Sequence, residues 1–131
     1  MLFRSTYDAT IGGGAINTAS GNKSVISGGQ SNISSGTTST VSGGCSNTAS
    51  GPCSTVGGGS SNTSSGYRTT VGGGLSNYVQ GISSTIAGGE SNRVYGDKSV
   101  IGGGISNCNC TGNYVTIAGG VYGTEIGRAH V

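Results

Sequence analysis

Side chains that could act as acids, bases or nucleophiles in a reaction are few in this chain of 131 residues. Before residue 124 the carboxylates are Asp8, Glu90 and Asp97, and the only histidine of the chain is His130. Acid–base catalysis needs such groups positioned together, and a Ser-His-Asp triad needs a histidine beside its serine. The carboxylates fall at unrelated spacings, so we expect that the chain is not an enzyme.

The four cysteines do not match the spacing of a zinc site. They are Cys45, Cys53, Cys108 and Cys110, whereas structural zinc sites use paired spacings such as Cys-x-x-Cys. We therefore expect no metal and no cofactor. Cys108 and Cys110 lie beside a one-residue insertion in the repeat, so they mark a bulge or a local staple, or they are variable surface positions. A disulfide between Cys45 and Cys53 stays open, because a sequence does not establish the required geometry.

The glycine-rich segments also lack the residues that bind phosphate or calcium. A Walker sequence has lysine directly after glycine, but Gly21-Asn22-Lys23 and Gly96-Asp97-Lys98 place one residue between them. Calcium-binding β-rolls carry an aspartate in each glycine-rich repeat, and this pattern is missing. The formal charge of +2 is too small and scattered for a nucleic-acid partner. No apolar run approaches the roughly 20 residues of a membrane span, so we expect membrane attachment only through segments outside this chain.

The chain is instead organised by a repeat of fifteen residues, counted from a Val or Ile that we call the anchor. The anchors are Ile11, Ile26, Val41, Val56, Val71, Ile86, Ile101 and Ile117, the last after sixteen residues. Glycine occupies positions plus two and plus three of each repeat and, one place late at the insertion, position plus ten. Asparagine occupies position plus six in seven repeats. Such register over eight units is typical of a solenoid, not of a flexible Gly/Ser linker.

The spacing predicts an all-β parallel solenoid with one coil per repeat, each of two short strands and two turns. Residues two apart in a strand share a face, so the Ser or Thr at minus two, the anchor and the glycine at plus two are predicted to point inward. A second strand is predicted at plus six to plus eight, with the asparagines stacked as a ladder. The repeat is represented by Val41, Val56, Val71, Ile86, Gly43, Gly58, Gly73, Asn47, Asn62, Asn77 and Asn92. About eight coils spaced by about 4.8 Å make a rod of roughly 40 Å.

The predicted interior offers little apolar surface. Each coil contributes one Val or Ile, one Ser or Thr, one glycine and, in most coils, a small residue at plus eight. A buried Val or Ile contributes roughly 1.5–3 kcal/mol, whereas ordering the backbone costs on the order of 1 kcal/mol per residue. Small inward residues suit close packing of several chains around an axis, so we expect a homotrimer.

The pattern Ser-Thr-Val/Ile-x-Gly-Gly-x-Ser-Asn-x-x-x-Gly, at residues 54–66 and 84–96, resembles the head repeats of trimeric autotransporter adhesins, the YadA-like head. It is also similar to repeats of phage tail fibres and of surface proteins that end in an endosialidase-type chaperone. The likeness spans about residues 9–121 and implies a left-handed parallel β-roll, three chains to a trimer. The repeat is one residue longer than the usual repeat of that family.

This resemblance implies a structural or adhesive rod outside the cell, on a cell surface or in a virion tail fibre. In such proteins the rod serves cell adhesion and virulence. The implied partners are further copies of the chain, as a homotrimer, and a host-surface protein, matrix or glycan.

The ends of the chain differ from the repeat domain. Residues 1–8 are interpreted as part of an upstream repeat, residues 9–123 as the β-roll repeat domain, and residues 124–131 as a non-repeat tail. Solenoids need caps and none precedes the first repeat, so we expect the natural protein to continue upstream. The tail resembles the translation of a sequencing adapter, in which case Glu125 and His130 are not natural residues.

Outward residues of the C-terminal half could contact a ligand. Tyr67, Arg68, Tyr78, Arg93 and Tyr95 cluster there, and Tyr and Arg are enriched at binding surfaces. The alternative is scattered solubilising decoration on a rod.

A row of threonines at position minus one supports a second hypothesis, a monomeric solenoid that binds ice or another repetitive surface. The row contains Thr40, Thr55, Thr70 and Thr85. Position minus three is expected to be the neighbouring outward column, and its three long cations argue against a flat face. An outward threonine row is also simply good strand surface.

Overall fold

The computed structural model describes residues 3–5 and 8–125, which form seventeen short parallel strands and no helix. The odd-numbered strands form a nine-stranded sheet in chain order: β1 (Phe3–Ser5), β3 (Asn17–Ala19), β5 (Ile33–Ser34), β7 (Thr48–Ala49), β9 (Thr63–Ser64), β11 (Tyr78–Val79), β13 (Arg93–Val94), β15 (Cys108–Asn109) and β17 (Thr124–Glu125). The even-numbered strands form an eight-stranded sheet in the same way: β2 (Thr10–Ile11), β4 (Val25–Ile26), β6 (Thr40–Val41), β8 (Thr55–Val56), β10 (Thr70–Val71), β12 (Thr85–Ile86), β14 (Val100–Ile101) and β16 (Thr116–Ile117). The prediction of a parallel β-solenoid is confirmed.

Each strand pairs with the strand one repeat further along the chain. Thr55 pairs with Thr70, which pairs with Thr85, and across the insertion Ile101 pairs with Ile117. A third line of bridges joins position plus four of each coil to the same position of the next. The sequence predicted two lines of pairing per coil, and the structure therefore adds one.

Strand pairing extends toward both ends of the chain. β1 lies within residues 1–8 and pairs with β3. β17 lies in the segment interpreted as the tail and pairs with β15. Residues 126–131, which include His130, lie outside the described residues.

Four side chains per coil fill the interior: those at minus two, the anchor, plus six and plus eight. The apolar core consists of Ala19, Ile26, Val41, Ala49, Val56, Val71, Val79, Ile86, Val94, Ile101, Val115 and Ile117, each at most 2% exposed. The inward Ser, Thr and Asn side chains are equally buried. One chain encloses all of them, so the small inward residues do not require further chains. The homotrimer remains a prediction, but the small size of the inward residues no longer supports it.

The two glycines of each pair have different roles. The second, such as Gly44, has a φ of 85°, and a Cβ on it would collide with a carbonyl oxygen of the next coil. The glycine at plus ten, such as Gly51, meets the same obstacle. A Cβ on Gly43, Gly58 or Gly73 would meet nothing within 4 Å. The expectation that the glycine at plus two points inward is therefore wrong, because it faces open space.

Two corners of every coil are formed by residues other than glycine. Positions minus three and plus five have φ values of 52–62° throughout, a conformation that costs roughly 1–2 kcal/mol per residue. At these positions the amide donates back to the preceding coil, as Ser46 does to the Gln30 carbonyl at 2.9 Å and Cys53 to the Thr37 carbonyl at 2.8 Å. The strand amides donate forward. The amides at these two corners thus bond each coil to the preceding coil, whereas the strand amides bond it to the next one.

The asparagines at plus six form a continuous ladder. Asn62 Nδ2 donates to the Gly58 carbonyl of its own coil at 2.9 Å and to the Gly74 carbonyl of the next at 2.8 Å. Its Oδ1 accepts from the Asn77 amide at 2.9 Å. The same three bonds recur at Asn17, Asn32, Asn47, Asn77, Asn92 and Asn107. Each side chain therefore satisfies three backbone groups at a corner.

Positions plus eight and minus two approach each other inside the coil. The hydroxyls of Ser34 and Ser39 lie 2.7 Å apart, as do those of Ser64 and Thr69. Alanine replaces the serine at Ala19 and Ala49. The buried hydroxyls of Ser24 and Ser54, five residues further on, then have no partner, and an unpaired buried hydroxyl is unfavourable.

The glycine contacts predict unequal effects of two matched substitutions in one coil. Gly51→Ala should lower the free energy of unfolding by roughly 1–3 kcal/mol, because its Cβ overpacks against the carbonyl of Gly66. Gly43→Ala should change it by less than about 1 kcal/mol, since its Cβ meets open space. Urea unfolding followed by circular dichroism measures both. Equal losses in the two variants would contradict the stacking model.

The inward hydroxyl pairs predict opposite effects for two serines of the same column. Ser54→Ala removes an unpartnered hydroxyl and should leave stability unchanged or raise it by about 1 kcal/mol. Ser39→Ala leaves the buried hydroxyl of Ser34 without its partner and should lower the free energy of unfolding by about 1–2 kcal/mol. Urea midpoints compare the two, with Ala49→Ser expected to stabilise by restoring a pair for Ser54. A larger loss for Ser54→Ala than for Ser39→Ala would refute this interpretation.

Candidate functional surface

The variable residues of the repeat lie outside the coil because strand side chains alternate. Positions plus six and plus eight point inward, so plus seven and plus nine form the outer face of the nine-stranded sheet. Position minus one forms the outer face of the eight-stranded sheet in the same way. Positions minus four and minus three form the corner between these faces. Ligand contacts are therefore expected from these columns.

Three of the predicted contact residues lie on the nine-stranded face. Tyr78 and Arg93 are paired neighbours on β11 and β13, and Tyr95 follows at the next outward position. The rings of Tyr78 and Tyr95 are tilted, with centroids 5.8 Å apart. The Tyr78 hydroxyl lies 3.3 Å from Ser65 Oγ and 3.4 Å from the side-chain oxygen of Gln80. The face therefore combines aromatic surface with hydroxyl and amide groups.

The other two predicted contact residues lie on the adjoining corner. The Arg68 guanidinium lies 4.7 Å from the centroid of the Tyr67 ring, within the range of a cation–π interaction. The same corner carries a second pair, Lys98 and Tyr114, which sequence reasoning missed. Lys98 Nζ lies 5.2 Å from the Tyr114 centroid and 3.2 Å from its hydroxyl. Lys98 and Tyr114 both occupy position minus three, in consecutive coils, so the repeat stacks one above the other. This shared position was the signal in the sequence that could have identified them.

The face and the corner form one continuous surface. Only the glycine at plus ten separates position plus nine from position minus four, so the two columns adjoin along the rod. We call the combined patch the tyrosine–cation surface. It consists of Tyr67, Arg68, Tyr78, Arg93, Tyr95, Lys98 and Tyr114. The structure thus places the five predicted contact residues in adjoining outward columns, with contacts within the face and within the corner, and adds Lys98 and Tyr114 to the corner.

The threonine row is in register on the eight-stranded sheet. Thr40, Thr55, Thr70 and Thr85 are paired in succession, and position plus one beside them holds only Gly, Ser or Ala. Position minus three lies in a turn at positive φ, not in the strand. The cations at minus three therefore lie on the corner that precedes the threonines, and on its other side the row has small neighbours.

Two of the four cysteines are joined. Cys108 and Cys110 form a disulfide with a Cα–Cα distance of 5.3 Å, so the local staple is the reading that the structure supports. The intervening Asn109 is fully buried, and its side chain donates to the Gly112 carbonyl and accepts from its amide. These contacts close the loop made by the inserted residue. Cys45 and Cys53 are exposed free thiols, so no disulfide joins them.

The carboxylates lie on different parts of the coil. Glu90 is at position plus four, in the third line of pairing. Asp97 lies at the opposite corner, where its Oδ1 accepts from the Ile82 amide at 2.7 Å. Among the described residues, no three or more His, Cys, Asp or Glu side chains gather in a group that could hold a metal ion.

No protein-family model matches the chain, and no curated protein matches it either. Within residues 3–5 and 8–125, no helix is long and apolar enough to cross a membrane.

The cysteine geometry predicts a simple labelling pattern. Iodoacetamide under native, non-reducing conditions should modify the two exposed thiols, Cys45 and Cys53, and leave Cys108 and Cys110 unmodified, because a disulfide has no reactive thiolate. Reduction before labelling should make all four react. Peptide mass spectrometry locates the adducts. Labelling of Cys108 or Cys110 without reduction would contradict the staple.

Proposed function

We propose that this chain is part of a repetitive surface fibre, a structural and adhesive rod whose outward side chains attach to another surface. The observation that supports the proposal is the contrast between the inward and the outward positions of the repeat. From Asn17 to Ile117 the inward positions hold buried residues of restricted type, whereas the outward columns at plus seven, plus nine, minus four and minus three vary from coil to coil. A rod of this kind can change its contacts without changing its fold.

A lack of assembled chemistry also favours a mechanical role over a catalytic one. Glu90 lies in the third line of pairing, and Asp97 lies at position minus four, where its side chain accepts from the Ile82 amide. The resemblance to adhesin heads and tail fibres supports the same role. It also favours a location outside the cell or on a virion, with a host-surface protein, matrix or glycan as the partner.

A homotrimer is the assembly that we propose for the rod. Its support is the resemblance, together with exposed apolar side chains in the third line of pairing on either side of Glu90. Leu75 is 44%, Ile105 is 42% and Val121 is 60% exposed. Burial of such side chains between copies would be favourable by roughly 25 cal/mol per Å² of apolar surface.

A monomeric solenoid that binds ice is the second candidate. The register of the threonine row and the small residues at position plus one beside it favour this candidate, because they form a regular face without long side chains on that side. Thermal hysteresis measures this activity directly.

The proposal predicts both the shape and the adhesion of the full chain. Small-angle scattering should give a length of roughly 40 Å from about eight coils spaced by about 4.8 Å. Sedimentation equilibrium should give the mass of three chains. Beads that carry the chain should be retained under flow on matrix-coated or bacterial-cell-coated surfaces, with beads that carry a protein of equal charge as the control.

The outcomes separate the candidates. A folded monomer would overturn the trimer and leave the rod. Beads that wash off both surfaces would overturn the adhesive role. Thermal hysteresis from such a monomer would establish the second candidate instead.

A further inference from the structure

The tyrosine–cation surface makes the two halves of the rod chemically different. Within residues 8–123 every tyrosine lies at or beyond Tyr67, and three of the four cations, all but Lys23, lie in the same half. The outward columns of the N-terminal half carry mostly Ser and Thr. Solubility alone would not require this segregation, since a charge on any coil would serve it equally.

The cations of this surface are exposed to solvent. Arg68, Arg93 and Lys98 are all exposed, and no ion pair to them is found among the described side chains. Asp97 lies at position minus four of the same corner, where it accepts from the Ile82 amide and keeps its negative charge. The surface therefore carries three cations against one carboxylate, and its net charge is positive along consecutive coils spaced by about 4.8 Å.

The tyrosines supply the second half of a recognition surface. Tyr67 is 41%, Tyr95 is 43% and Tyr114 is 54% exposed, so part of each side chain faces solvent. Ser65, Tyr78 and Gln80 add a line of hydroxyl and amide groups beside them. Aromatic rings pack on the C–H faces of sugar rings, hydroxyl and amide groups bond sugar hydroxyls, and Arg pairs with carboxylate or sulfate.

We propose that the tyrosine–cation surface binds an acidic polysaccharide, with the cations on its carboxylate or sulfate groups and the tyrosines against its sugar rings. This inference rests on the attachment role proposed above and names its ligand class. The charge complementarity selects an anionic polymer. The polar groups around Tyr78 select one with many hydroxyls, and favour a glycan over a single-stranded nucleic acid, which binds largely through stacked bases and phosphates.

Binding of labelled polymers to the full chain tests the proposal. The probes are a fluorescent oligogalacturonate, which carries carboxylates, and a heparin fragment, which carries sulfates. A dextran fragment is the neutral control and a single-stranded DNA is the competing polyanion. Fluorescence anisotropy should show binding of at least one acidic glycan that weakens as salt is raised, with no binding of dextran.

Matched variants locate the site on the rod. Arg68→Gln together with Arg93→Gln should weaken glycan binding by about fivefold to tenfold. Lys23→Gln removes a cation from the same repeat position as Arg68 but in the other half, and should have no effect. Tyr95→Ser should weaken binding, whereas Tyr122→Ser should not, because Tyr122 lies at a different corner. Circular dichroism verifies that all four variants stay folded.

Three results would overturn the proposal. They are equal binding of dextran, equal loss in Lys23→Gln, and tighter binding of the DNA than of either glycan. Failure here is distinct from failure of the attachment role. Beads retained under flow by a chain that binds neither acidic glycan would leave adhesion intact and direct the search to a protein partner.

Discussion

The side chain of each ladder asparagine bonds three backbone groups at a corner, and the stacking of the coils depends on this interaction. Asn47 Nδ2 joins the carbonyl of Gly43 to that of Gly59 in the next coil. This geometry also explains the glycine at plus three. A Cβ on Gly44 would lie 2.6 Å from Asn47 Nδ2 and would collide with the Gly59 carbonyl. Asparagine and glycine are therefore required together, because without the asparagine three backbone groups lose their partner, and without the glycine a Cβ occupies the space of the asparagine amide.

The insertion lies where the stack can tolerate it. The extra residue falls between Cys110 and Gly112, after the ladder position of that coil, and Asn107 keeps all three of its bonds at 2.8–3.0 Å. Asn109 then takes the inward position normally held by a small residue and bonds Gly112 in both directions. The corner that holds the ladder asparagine thus keeps its geometry, while the corner at Gly112 is one residue longer.

The sequence predicted the features that follow directly from the fifteen-residue period and from the type of residue at each position. The strands at the anchors and the asparagine stack needed only alternation and the bonding capacity of an amide. The corners at minus three and plus five were missed, because a positive φ is usually inferred from glycine and these positions hold residues as different as Lys23, Cys53 and Ser46. The distinct roles of paired glycines such as Gly43 and Gly44 were also missed, since contacts between coils decide them. The candidate contact residues were chosen because they cluster in the sequence, and the corner geometry added Lys98 and Tyr114 to them.

The interior and the surface change at the same point of the rod. Position plus eight holds Ala or Ser up to Ser64, and both unpartnered hydroxyls, Ser24 and Ser54, belong to that half. Val79 and Val94 then fill the position, while Ser84 and Ser99 bond backbone carbonyls. These valines belong to β11 and β13, the strands that carry the outward aromatic and basic residues of the nine-stranded face. The coils with the fully paired interior thus support the tyrosine–cation surface, and a rigid platform lowers the entropy lost when such a surface binds.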